Sequence, residues 1–353
     1  MNSKIIHSVS VFQEGKLIEN AWAHLAEYTT IGHGDSWQRL NADEVIDGSG
    51  QVLHAGFFDT HCHGGNGFAA NNSAQDILGI LDFNQQNQVT RNIVSLVSAP
   101  VAEMVRITKE CESLLLDPRF LGLHFEGPFL SHEHRGAQDP DALKIATDQE
   151  VQAIVECKTI RSITVAPECL SDSQTAVLEA SGIKLCFGHS SAGYEETLDF
   201  LTKHPESVMT HTFNGMRGIH HRAPGPVPAA IETDTYLELI ADGIHVEPAA
   251  ARLIPAERLI LVTDAIQATG QPDGKYLLGE VKIEVRDGVA RTESGSLAGS
   301  TLKITQAVKN YARWTNNLEL ALRAAITNPE KAYKVPAQPI TSENHFLFRV
   351  NSN

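Results

Sequence analysis

Six residues have types and positions that suit metal-assisted hydrolysis: His61, His63, Glu126, His189, His211 and Asp264. Imidazole and carboxylate are donors that zinc and iron both accept. Each residue closes a short apolar run, in VLHAGFFDTHCH, RFLGLHFEG, IKLCFGHS, SVMTHTF and RLILVTDA. Taken singly, each has an ordinary structural role open to it. H-x-H alone is a weak signal. His189 and His211 suit hydrogen-bonded core histidines, Glu126 a cap or a buried ion pair, and Asp264 a turn cap. Together, that account needs six coincidences at the same end of successive strands. The i, i+2 spacing of His61 and His63 puts both imidazoles on one face of a strand and turns Cys62 to the other. A carboxylate at Glu126 can offer one oxygen to each of two cations, and Gly127-Pro128 after it favours a sharp turn over a helix start.

Residues so scattered meet only if the chain brings successive strand ends to one mouth. Apolar runs fall at 52–58, 92–98, 119–125, 160–166, 183–188, 207–212, 236–241 and 258–263, eight in all. Amphipathic segments such as SAQDILGILDFNQQNQ, VAEMVRITKECESLLL and YEETLDFLTKH alternate with them. Continuous apolar strands alternating with helices indicate parallel βαβ units, and eight such units indicate a closed barrel with its site at the C-terminal face. The expected fold is therefore α/β, a (β/α)8 TIM-like metal-dependent hydrolase barrel with a small flanking β-domain. The barrel is placed at 54–333, with a β-hairpin excursion near 275–295 around the Asp287-Gly288 turn signal. Helices are expected from about 302 to 314 and from 318 to 326. The small β-domain combines 1–53, which reads as short strands, with 334–353, where ENHFLFRV alternates like a strand.

Composition bounds the rest. The 353 residues suit one barrel plus a small second unit better than two equal halves. A net charge of −15 disfavours nucleic-acid binding and means that an anionic substrate needs its own local cation. The five cysteines are odd in number and lack C-x-x-C, which argues for a reducing, cytoplasmic setting over a disulfide framework. No signal-peptide pattern and no membrane-spanning apolar run is read.

The motifs AGFFDTHCHGG, LGLHFEGPFLS, VAPE, GHSSA, THTFNGM, HRAPGP, IADGIHV, LVTDA and SGSLAGSTL occur in order from about residue 55 to 302. This series resembles the amidohydrolase superfamily, and within it the branch that deacetylates N-acetylglucosamine 6-phosphate. The resemblance implies two divalent metal ions, zinc or iron. His61, His63 and Glu126 would hold one, near Asp264, and Glu126, His189 and His211 the other. Glutamate at the bridging position sets the chain apart from relatives that use a carboxylated lysine. Asp264 would orient the attacking water, accept its proton and pass it to the departing nitrogen.

The resemblance also implies a small-molecule sugar-phosphate substrate. Asn214, the backbone of Gly215, Arg222 and His245 would meet its phosphate and sugar. Arg222 would reach the site of the neighbouring subunit, so a homodimer is expected. Two departures stand out. The family's G-x-H-[DN]-P stretch, whose histidine meets the substrate carbonyl and sugar, reads GAQDP, so Gln138, which can still donate a hydrogen bond, is the substrate-binding candidate there and His132 or His134 a candidate substitute. The C-terminus lacks the family's usual G-x-L-x-x-G-x-x-A-D ending, so the second domain is expected to be trimmed or rebuilt. The galactosamine epimer stays open as substrate. A deaminase or cyclic-amide hydrolase is the alternative that the phosphate-binding set opposes.

Overall fold

Eight parallel strands are hydrogen-bonded in chain order in the computed structural model, which describes residues 3–349. They are Phe57–Cys62, Val89–Val97, Phe120–Glu126, Ile160–Val165, Lys184–Phe187, Val208–Met209, Tyr236–Ile240 and Leu259–Val262. Val89–Val97 is buried along its whole length, as expected of a strand covered on both faces. The (β/α)8 architecture read from the apolar runs is the one observed.

Two runs resolve differently from their reading. The run at 52–58 is divided: Gln51–His54 pairs in the flanking sheet, and Phe57–Cys62 begins the barrel. Both pieces are buried, so the apolar signal crosses the boundary without a break. The sixth strand keeps only Val208–Met209 of its run. Just beyond it His211 and Phe213 take positive φ, of 26° and 80°, and leave the extended conformation.

Helices follow the strands, from Ala74–Gln86 after the first to Ile304–Thr315 after the last. Local sequence starts them. Thr147 with Glu150, and Ser171 with Gln174, form reciprocal capping boxes. Helix Ile304–Thr315 buries Ile304, Ala307, Val308 and Tyr311, the i, i+3, i+4, i+7 stripe of a helix packed on one side. The helix read at 318–326 runs further. Leu318–Leu322 continues through a π-helical turn, Arg323–Thr327, into Asn328–Ala332.

The barrel closes just past its last strand. Asp264 N–H donates to the His61 carbonyl at 2.8 Å, and His63 N–H donates to that of Ala265 at 2.7 Å. Closure and site construction are thus one event, because these bonds draw Asp264 alongside His61 and His63.

A second sheet has six strands: Lys4–Gln13, Lys16–Leu25, Thr29–His33, Glu44–Asp47, Gln51–His54 and Phe346–Arg349. Its own core includes Ile6, Val9, Val11, Leu25 and Leu53. Residues 1–2 and 350–353 of the small domain read from the sequence lie outside the described residues. The excursion near 275–295 is an antiparallel three-stranded sheet, Gly274–Leu278, Val281–Arg286 and Val289–Thr292, where a hairpin was expected. A second two-residue turn, Gly279-Glu280, precedes Asp287-Gly288, and Leu278, Ile283, Val285 and Ala290 pack its inner face over Ile266 and Val97. No helix among the described residues is long and apolar enough to cross a membrane.

Candidate active site

The six candidate ligands meet at the C-terminal mouth of the barrel. Their donor atoms form two buried triads, His61 with His63 and Asp264, and Glu126 with His189 and His211. His63 Nε2 lies 3.2 Å from Asp264 Oδ1 and 3.2 Å from Glu126 Oε2. His61 Nε2 lies 3.6 Å from Asp264 Oδ1. Glu126 Oε1 faces the other triad, 3.0 Å from His189 Nε2 and 2.9 Å from His211 Nε2. Each oxygen of Glu126 therefore addresses a different triad.

Local backbone conformation aims these groups. His61 lies in its strand and Glu126 ends its own. His189, His211 and Asp264 each sit two residues past a strand end at positive φ, of 48°, 26° and 49°. Left-handed backbone at a non-glycine residue costs of order 1–3 kcal/mol and persists where the surroundings enforce it. Behind Asp264 the loop of SGSLAGST supplies that enforcement, with Ser300 N–H donating to the Asp264 carbonyl at 2.7 Å. Gly299 permits the approach: it has φ +57°, and a Cβ there would lie 2.9 Å from the Asp264 carbonyl oxygen.

The donor set fits a cation in each triad. His61 Nε2 and His63 Nε2 face each other at 3.1 Å, and His189 Nε2 and His211 Nε2 at 3.0 Å. Two imidazole lone pairs at that distance repel unless a proton or a metal lies between them. The surrounding carboxylates favour positive charge at these imidazoles. Burial opposes charge on His63, yet Asp264 and Glu126 outweigh it and hold the imidazole at about 10. Burial pushes Glu126 upward, and its bonds to His189, His211 and His63 hold it well below the carboxylate range instead. Asp264 is likewise lowered against burial, by His63 and His61.

A cavity of about 210 Å³ opens above the triads. Gln138, Asn214, Gly215 and His245 line it beside His63, Glu126, His189, His211 and Asp264. Gln138 Oε1 accepts from Ser98 N–H at 2.8 Å, which fixes the amide so that Nε2 donates to Glu126 Oε2 at 2.5 Å. Neither His132 nor His134 lines the cavity, so Gln138 itself occupies that place. His134 acts through its backbone, its carbonyl accepting from His189 Nδ1 at 2.8 Å. His245 Nδ1 bonds Asp242 Oδ2 at 2.6 Å. Gly215, at φ +60°, passes so close to His189 that a Cβ would lie 2.7 Å from Nδ1. Arg222 is the exception: it is exposed, lies outside the lining of its own chain's cavity, and contacts His221 at 2.7 Å.

Two buried residues beneath the site escaped the sequence reading. Glu238 contacts His61 Nδ1 at 3.3 Å and Thr60 Oγ1 at 2.8 Å. His124 packs edge-on against His61 and bonds Ser95 and Thr164. Its imidazole is pushed well below the usual range by burial and by His61. The signal for Glu238 was a lone charge inside the apolar run YLELI.

No family model matches the chain. N-acetylglucosamine-6-phosphate deacetylase of Vibrio furnissii is 33% identical over 327 residues, covering 83% of this chain and 82% of that protein. N-acetylgalactosamine-6-phosphate deacetylase of Escherichia coli O157:H7 is 34% identical over 283 residues, covering 77% and 75%. The chain belongs to the N-acetylglucosamine-6-phosphate deacetylase family of the amidohydrolase superfamily. The crystal structure of that deacetylase from Mycobacterium smegmatis superposes with a TM-score of 0.88 at 29% identity, over 98% of this chain and 95% of that one. Within this deacetylase family, Gln138 stands in a cavity built from the mouth of the shared barrel.

Proposed function

We propose that this protein hydrolyses the acetamide of N-acetyl-D-glucosamine 6-phosphate, giving glucosamine 6-phosphate and acetate. The observation that carries the reading is the convergence of two His/carboxylate triads on one cavity in a chain of this family. His61, His63 and Glu126, with Asp264 beside them, would hold one divalent ion, and Glu126, His189 and His211 the other. Zinc and iron both suit these donors. When bound, such ions lower the pKa of water to ~7 and polarise a carbonyl.

The chain's own groups supply the rest. Asp264 Oδ1, beside both imidazoles of the first triad, accepts the proton of the attacking water and returns it to the departing nitrogen. Gln138 Nε2, fixed as a donor by Ser98, offers a hydrogen bond to a substrate oxygen. Asn214, the Gly215 N–H and His245 receive the sugar phosphate, with Arg222 arriving from the neighbouring subunit of a homodimer. The exposure of Arg222 outside its own cavity supports that last assignment.

The galactosamine epimer is a second reading, favoured by the similarity to a galactosamine-type relative. Acetate release across phosphorylated and free N-acetylhexosamines of both epimers tests both readings. The highest kcat/KM is expected on N-acetylglucosamine 6-phosphate. A higher value on the galactosamine ester would transfer the assignment, and no acetate from either ester would overturn it.

A further inference from the structure

The four histidines of the site differ in what holds their remote nitrogens. His63 Nδ1 meets the Ser95 carbonyl at 3.1 Å, and His189 Nδ1 meets that of His134 at 2.8 Å. Among the described residues His211 Nδ1 is buried without a hydrogen-bond partner, and of the four only His61 meets a carboxylate, with its Nδ1 3.3 Å from Glu238 Oε2. Glu238 lies on the seventh barrel strand, only 2% exposed. Its other oxygen accepts from Thr60 Oγ1 at 2.8 Å. His61 is its ion-pair partner among the described residues, with no lysine or arginine beside it. Burying a carboxylate without a cation is costly, so a barrel interior that keeps one is holding it for a charge nearby.

We infer that Glu238 is a positioning residue for the His61/His63 half of the centre, and that it sets the affinity for the ion bound there. The inference rests on the two-ion reading above. A carboxylate at Nδ1 fixes the tautomer with its proton on that nitrogen, and it raises the basicity of the ring. The Nε2 lone pair of His61 is then aimed at Asp264 and His63, where a ligand atom is needed. The bond to Thr60, the residue next to His61, ties the carboxylate to the same strand. Among the described residues the Glu126/His189/His211 half has no such anion behind its imidazoles, so removing the charge of Glu238 should act on one half only.

Metal content and affinity provide the test, read without reference to turnover. Wild-type protein loaded with excess zinc and dialysed should hold two equivalents. Glu238→Gln keeps the shape and the Thr60 bond. It removes the anion and can present an N–H to Nδ1, which turns the Nε2 proton toward the cluster. It should hold one equivalent, with the ion at His61 and His63 bound about 10–100-fold more weakly and the ion at His189 and His211 unchanged. Thr60→Val cuts the tie and leaves the anion, and it should still hold two. Should Glu238→Gln not fold, Glu238→Asp keeps the charge at a longer reach and should weaken only the ion at His61 and His63, by a smaller factor. Two equivalents at wild-type affinity in Glu238→Gln would overturn the inference and leave the two-ion reading standing. Equal weakening of both ions in either Glu238 variant would reduce Glu238 to a structural role. A wild type that never exceeds one equivalent would overturn the two-ion reading and this inference with it.

Discussion

Asp264 is the proton acceptor of the proposed reaction, and the fold holds it firmly. Its backbone closes the barrel seam, its φ is +49°, and its Oδ1 lies within 3.6 Å of two imidazoles. Asp264→Asn should preserve the fold and most of the metal while removing the acceptor. A general acid–base residue typically contributes ~10²–10⁴-fold, and Asp264 is proposed to serve both proton transfers, so the loss in kcat should exceed that range. A variant that kept more than roughly a tenth of kcat (about 1.4 kcal/mol of barrier) with intact metal would contradict the role. At this scale the sequence pointed to residues that converge wherever they sat at a strand end. His61, His63, Glu126, His189, His211 and Asp264 each follow an apolar run, and all six meet. Glu238 and His124 were hidden because they lie within strands, where a pattern reading expects core. The replacement of a family histidine by Gln138 was visible, but its fixed donor geometry needed Ser98, forty positions away in the chain.

The element that joins sheet and barrel is Gln51–His54 with the turn into Phe57–Cys62. His54 is fully buried there against Phe57, Phe346 and Phe348, with Nε2 3.0 Å from Gln88 Oε1. Burial pushes its imidazole down from 6.5 to about 4, against the bonds to Gln88 and Gly56. A depressed histidine leaves the unfolded chain binding more protons between those values, so stability falls as pH drops from about 6.5 to about 4. The contribution lost across that window is about 3 kcal/mol, and below it no further loss arises from His54. His54→Gln should be less stable near neutrality through lost packing, but its thermal midpoint should decline less steeply over the same window. Parallel pH profiles for the two proteins would contradict this account. Element boundaries were the least legible part of the sequence, for physical reasons. The run at 52–58 is apolar on both sides of the sheet-to-barrel crossing, so hydropathy marks no edge. The sixth strand stops after Val208–Met209 because positive φ at His211 and Phe213 turns it away, and residue type gives no warning of that.

The whole molecule carries a net charge of −15 and is proposed to bind a phosphate ester, so any cation that meets the phosphate matters. Arg222 is the proposed one, and it stands outside the cavity of its own chain. A charge-assisted bond contributes ~1.5–3 kcal/mol, so Arg222→Ala should lower kcat/KM on the phosphorylated substrate roughly ten- to a hundredfold. Free N-acetylglucosamine should be turned over almost as before. If the arginine crosses between subunits, mixing Arg222→Ala with Asp264→Asn protein under exchange should restore part of the activity, because one site of the mixed dimer then has both groups intact. Equal loss on both substrates would contradict the phosphate role, and absence of rescue with proven exchange would contradict the crossing. Barrel and flanking sheet were legible from alternation and run count. The expectation of a homodimer came from the resemblance alone, since no spacing within one chain encodes an assembly. The most direct measurement is acetate release from N-acetylglucosamine 6-phosphate, before and after chelation and after restoring zinc or iron. The account predicts one acetate per glucosamine 6-phosphate formed by the loaded protein, loss of that activity on chelation, and its return with metal. No acetate from the metal-replete protein, or an unchanged rate after the metal is gone, would contradict it.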